Sequence, residues 1–158
     1  MSGSEVLKLL AQDVRQDTLQ ILGTADHVTL TWVPAGTSNH ILWHSGHALW
    51  LQDLMCVEPL LDVSELPKGW AEMFGMNSQP TNVADWPTQH ELQRLLESQL
   101  DRMLDLLHGV SDTVLSGAAP RLGGKRNLCG WILHGLHDEA KHSGEMYLLW
   151  KTCRAASQ

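Results

Sequence analysis

Lysine and arginine are scarce in this chain. There are 11 of them against 18 aspartates and glutamates, for a net charge of −7, and they form no run. That excludes a general nucleic-acid surface, which needs clustered basic residues. It also excludes a basic helix lying on a membrane surface. Long apolar runs are missing as well, and no stretch reaches the length needed to span a bilayer. The amino-terminal MSGSEVLKLLAQDVRQD has no basic start followed by an apolar block, so no secretory signal is expected. Cysteine is limited to Cys56, Cys129 and Cys153, an odd and widely spaced set without a CxxC pair. Such a set argues against a disulfide framework and against a cysteine zinc site, and it suits a reducing cytoplasm.

Hydrophobic residues make up 43% and charged residues 18% of 158 positions, a globular composition with enough chain for a sizeable core. No internal repeat or low-complexity tract divides it, so one domain over residues 1–158 is expected. Phe and Tyr occur once each, yet there are nine histidines and seven tryptophans. Neutral imidazole is the commonest metal ligand. The histidines form no tag-like run and lie inside amphipathic patterns.

Four helical patterns and no convincing strand predict an all-α four-helix bundle. The first helix runs from about Ser2 to Asp26. Ser2 and Glu5 have capping-box spacing, and Val6, Leu10, Val14, Ile21 and Ala25 recur at helical intervals. Thr37, Ser38 and Asn39 follow the breaker run around Pro34 and offer caps for a second helix over 39–56, which Pro59 closes. Residues 58–86 read as a long connection with one short helix around Trp70–Phe74. The third helix starts near Pro87, where Thr88 and Glu91 form another capping box. It carries Leu92, Leu96, Leu100, Met103, Leu107 and Val110. Gly117–Gly124 is a loop, and Asn127 caps a fourth helix ending near Arg154.

The fourth helix has a 3-4 spaced series Leu128, Trp131, Gly135, Asp138, His142, Glu145, Leu149. It reads as a bundle seam whose ends are apolar and whose middle is polar. Polar groups on an inner seam are costly unless paired or bound to metal. Asp138 and His142 are four residues apart and project side by side. The second helix carries a matching seam of Trp43, His47, Trp50, Leu54 and Val57. His47, Asp138 and His142 are therefore the expected ligands of one divalent ion, with a coordination position open for water or substrate. Trp43, Trp50 and Trp131 are expected to wall the pocket. Taken singly, a seam histidine is more often a hydrogen-bonded core residue, and an Asp–His pair on a helix is usually a packing pair. It is their joint occurrence on two seams that favours metal. His44, His134 and Glu145 are further candidates for outer contacts or alternative ligands. His137 shares a face with Lys141 and reads as solvated. His27, His40, His90 and His108 fall near helix ends or loops, where ordinary polar roles are expected.

The block SNHILWHSGHALWLQDLM, with Gly46-His47 inside the second helix, resembles the DinB-like superfamily, and so does LHGLHDEAKHSGEMYLL. Members place one histidine on the second helix and a His-x-x-x-His or Glu-x-x-x-His pair on the last. The second histidine of that pair is followed by a small residue, Gly, then Gln, Glu or His. His142-Ser143-Gly144-Glu145 matches that ending. The resemblance implies a metal-binding bundle that is often dimeric. Some relatives are bacillithiol transferases and mycothiol-dependent maleylpyruvate isomerases, which use the metal to activate a low-molecular-weight thiol. Here the position four before His142 is Asp138, where most members carry His and the isomerase-like members carry Glu. His137 could replace it only in an overwound or bulged helix, because five residues put it about 140° from His142 in a regular one.

Three functions follow as expectations. The first is an enzyme in which the ion activates a thiol or water for attack on a small-molecule substrate, a thiol S-transferase or hydrolase. The second is a non-catalytic metal-binding or stress-linked bundle. The third is a metal-free interaction bundle whose polar seam residues set register. Two imidazoles and a carboxylate suit zinc, nickel, iron or manganese. A homodimer is expected from the resemblance and from a tryptophan-rich surface of low charge. No catalytic residue is assigned from the sequence.

Overall fold

The computed structural model describes residues 1–78 and 85–157. Four long helical stretches form the bundle: α1 (Gly3–Thr24), α2 (Ile41–Gln52), α5 (Gln89–His108) and α7 (Leu128–Ala156). Short helices α3 (Glu58–Leu61), α4 (Trp70–Phe74) and α6 (Asp112–Ser116) fill the connections, and no strand is present among the described residues. α1 packs along both α5 and α7, while α2 lies against α7. The long connection expected between the second and third bundle helices is present, with α4 where a short helix was expected. Its residues 79–84, including Pro80, lie outside the described residues.

The helix starts follow from the sequence. Ser2 and Glu5 form a complete capping box, as do Thr88 and Glu91, and the Asn127 side chain accepts from the Gly130 N–H. The cap of α2 is His40 rather than Thr37, Ser38 or Asn39: its imidazole Nδ1 accepts from the Trp43 N–H. Pro59 does not close the second helix. The chain passes through a π-helical turn, Asp53–Val57, into α3 and stops after Leu61, where Asp62 adopts a left-handed conformation with φ 64°. The wide turn accommodates the missing proline N–H, and it shifts the phase of everything after Gln52.

Two helices are rotated from the expected faces. In α1 the core side is Leu7, Ala11, Val14, Thr18 and Leu22, while Val6 is 46% exposed. In α7 the core side is Leu128, Ile132, Leu136, Glu139, Ser143, Met146 and Leu149, so Asp138 and His142 sit half-buried on its flank and Glu145 is exposed. The stripe expected on the third helix holds, with Leu92, Leu96, Met103 and Leu107 buried.

The core falls into two clusters. One gathers Leu22, Ile41, Trp43, Leu49, Phe74, Leu92 and Met146 around the amino-terminal half of α2. The other gathers Leu7, Cys56, Met103, Leu107, Ile132 and Leu136. Arg15 and Glu139, both buried, join through Nε and Oε1 at 2.7 Å and NH2 and Oε2 at 3.1 Å. Thr18 Oγ1 and Gln52 Nε2 also donate to Glu139, and Arg15 donates to the Leu96 carbonyl and to Gln99. The Glu139 carboxylate thus links α1, α2 and α7, and Arg15 adds α5. Every nitrogen of the guanidinium has an acceptor, which is the condition for burying this charge.

Candidate metal centre

One ligand atom from each of His47, Asp138 and His142 lies within 4.8 Å of the others. His47 comes from α2, and the other two from successive turns of α7. The position of His47 begins at Gly46. A Cβ there would lie 2.3 Å from two carbons of the Phe74 ring, so only glycine lets α4 pack this closely on α2. Trp70 Nε1 secures the contact by donating to the Gly46 carbonyl at 3.0 Å. The end of α4 then presents the Phe74 carbonyl 2.6 Å from His47 Nδ1. A carbonyl only accepts, so His47 carries its proton on Nδ1 and keeps the lone pair on Nε2. A backbone carbonyl on the far nitrogen is the usual support of a metal-ligating histidine.

The His47 ring stacks on Trp43 at 4.5 Å between centroids and lies 5.2 Å from the ring of Trp50. Trp43 and Trp50 thus flank the His47 ring. Trp131 does not: it sits two turns before Asp138, beside His134 and Arg126, and packs on the second core cluster. Asp138 is 3.3 Å from Lys141 Nζ. His134 is half-buried against Trp131, and His137 is exposed, in line with its predicted solvated face.

His44 joins the cluster from the other side. Its Nδ1 is 2.9 Å from His142 Nδ1. Glu145 Oε2 stands 3.5 Å from His44 and 3.4 Å from His142. His44, His142 and Glu145 make a second group able to hold an ion, sharing His142 with the first. Burial pushes His44 down to about 3, with the neighbouring imidazoles adding to it. Burial likewise pushes His47 down to about 4, against the raising effect of the Phe74 carbonyl. Both rings are therefore neutral at physiological pH, the form that ligates metal. A cavity of about 410 Å³ opens beside His44 and Glu145, walled by Pro34, Leu148 and Leu149 and rimmed by Thr37, Ser38, Asn39 and Thr152.

Sequence reasoning missed the Arg15–Glu139 pair. Glu139 stands next to Asp138 and gives the same signal, an acidic residue in an amphipathic helix. Only the rotation of α7 tells which of the two points inward.

Fold and site define a helical bundle with a histidine–carboxylate cluster between its second and last long helices. The sequence profile of the DinB superfamily matches residues 10–146, and the chain belongs to that superfamily. A conserved protein of known crystal structure from Enterococcus faecalis shares the fold, with a TM-score of 0.65 at 17% identity over 96% of each chain. No curated protein matches significantly. Among the described residues, no helix is long and apolar enough to cross a membrane.

Proposed function

We propose that His47, Asp138 and His142 hold one divalent ion and that the protein is a metal-dependent enzyme, a thiol S-transferase or hydrolase acting on a small molecule. The observation that carries this reading is the Phe74 carbonyl on His47 Nδ1, which leaves Nε2 free beside a carboxylate and a second imidazole. The donor set suits zinc, nickel, iron or manganese. A bound ion would supply a Lewis acid that lowers the pKa of a low-molecular-weight thiol or of water.

The chain's own residues have separate tasks in this reading. His47 offers Nε2, held in place by Phe74 and by the Trp43 face. His142 offers a second imidazole, and Asp138 supplies the negative charge. Trp43 and Trp50 exclude water on the α2 side. The cavity beside His44 gives a small substrate room next to the cluster. We further propose a cytoplasmic homodimer. Three free thiols support the compartment, and the exposed Val6, Leu9, Leu133, Tyr147 and Leu148 of α1 and α7 support the assembly.

The test is metal content after exhaustive dialysis of protein made without a tag. Wild type is expected to retain one equivalent of a divalent metal, His47→Ala and His142→Ala none, and His137→Ala one. Full retention by the first two variants overturns the reading. Turnover of thiol-conjugation or hydrolysis probes by the loaded protein, lost in His142→Ala, separates the enzyme from a non-catalytic metal protein.

A further inference from the structure

The triangle of His44 Nδ1, His142 Nδ1 and Glu145 Oε2 has sides of 2.9, 3.4 and 3.5 Å. A hydrogen bond explains the first side alone. A carboxylate sharing a proton with an imidazole is expected at about 2.7–2.9 Å, shorter than either side at Glu145. The two sides at Glu145 instead match the edge of a tetrahedral coordination shell, and the His44–His142 side is shorter than it. With bonds of ~2.0–2.2 Å, that edge is about 3.3–3.6 Å. The donor atoms are two imidazole nitrogens and a carboxylate oxygen, the same chemistry as the inner set. The surroundings differ. Trp43 touches both His47 and His44, but Trp50 lies only beside His47, whereas His44 and Glu145 line the 410 Å³ cavity and Glu145 is 59% exposed.

The two sets share His142, and that has a chemical consequence. A neutral imidazole has one lone-pair nitrogen and carries its proton on the other. A neutral His142 therefore serves one ion at a time, so the two sets cannot both be filled. We infer that His44, Glu145 and His142 form an outer position for the same divalent ion, occupied in alternation with the inner one and placed on its route from solvent. The inference rests on the inner-site reading above. With Nδ1 deprotonated, His142 joins His44 and Glu145 at the cavity wall. With His142 turned to the inner set, the ion sits with His47 and Asp138. The outer position is the weaker of the two, because its only anionic ligand is exposed to solvent, and dialysis empties it.

The experiment is calorimetric titration with Zn²⁺ of protein stripped of metal with EDTA and freed of the chelator. His47→Ala is expected to take up one Zn²⁺, at least about tenfold more weakly than wild type. Glu145→Gln or His44→Asn in the His47→Ala background should weaken that binding by about a further tenfold, whereas His137→Ala in the same background should not. Glu145 is exposed, so its variant keeps the fold even if the buried His44 variant does not. In the otherwise wild-type protein, Glu145→Gln should slow Zn²⁺ uptake in stopped flow while leaving the final affinity within about twofold. If His47→Ala binds no Zn²⁺, or binds it with no response to either outer substitution, the outer position does not exist. If His47→Ala binds as tightly as wild type and the outer substitutions abolish binding, the inner reading and the alternation fall, and the outer set stands as the sole site.

Discussion

The Arg15 guanidinium meets the Glu139 carboxylate at 2.7 Å with both side chains 1% exposed, at the level of the bundle where α7 also carries Asp138 and His142. The pair stops α7 from rotating, because turning it would strand two charges in the core. Glu139→Ala is expected to lower unfolding stability by about 3–5 kcal/mol, since Arg15 is left buried and unpaired. The joint replacement Arg15→Met with Glu139→Met should recover most of that loss, because an apolar pair needs no desolvation. Urea unfolding of the three proteins measures this. Equal stability of Glu139→Ala and wild type would show that the pair holds nothing.

Gly46 is the hinge between fold and site. A Cβ at this position would sit 2.3 Å from the Phe74 ring, so Gly46→Ala forces α4 off α2. The expected cost is about 1–3 kcal/mol, the usual range for overpacking. The displaced helix also carries away the carbonyl that fixes His47. Gly46→Ala should therefore bind Zn²⁺ more weakly than an equally destabilised variant elsewhere, such as Leu107→Ala in the second core cluster. Matched affinities in the two variants would sever α4 from the site.

The parts legible in the sequence are those set by local chemistry. Ser2 with Glu5, Thr88 with Glu91, and Asn127 each announce a helix start through side-chain bonds confined to one turn. The α5 stripe is legible because its fully buried residues, Leu92, Leu96, Met103 and Leu107, are all apolar. α1 and α7 misled because each buries polar groups: Arg15 and Thr18 face the core where a pattern reader expects apolar residues, and so does Glu139. Their burial is decided by partners up to 124 residues away. In α2 nearly every residue is buried, so no face stands out, and the π-turn at Asp53–Val57 resets the phase. His47, Asp138 and His142 were nonetheless singled out together, because a 3-4 spaced polar interruption survives a modest error in helix rotation.

Acid should destabilise the metal-free protein, and His40 accounts for part of the effect. Burial lowers this imidazole to about 4, and its Nδ1 caps α2 by accepting from the Trp43 N–H. Between pH 4 and the unfolded value of 6.5 the unfolded chain binds a proton here that the native one refuses. Stability is thus complete above 6.5 and is lost as pH falls toward 4. Burial depresses His44 and His47 in the same direction. His40→Asn retains a capping side chain but does not titrate. Its baseline stability should drop with the lost packing on Trp86. The measurement that matters is the slope: urea midpoints from pH 7 to pH 5 in EDTA should fall less steeply for His40→Asn than for wild type. Parallel slopes would mean that His40 titrates normally.

Metal should stabilise the fold, because the two halves of the proposed inner site come from helices that meet only in the native state. His47 belongs to α2, and Asp138 and His142 to α7. At a free concentration one hundred times Kd, a ligand that binds only the native protein adds about 2.7 kcal/mol. For a chain of this length each kcal/mol moves Tm by roughly 2–4 °C, so saturating Zn²⁺ should raise Tm by about 5–10 °C over the EDTA-treated protein. The variants rank by chemistry. His142→Ala removes the imidazole shared by both ligand sets and should show no response. Asp138→Asn keeps the shape but removes the charge, and should keep only a small one. Asp138→Glu keeps the charge on a longer arm and should keep most of the shift. A Zn²⁺ response in His142→Ala equal to that of wild type would place the ion elsewhere on the protein, and with it the chemistry assigned to this cluster.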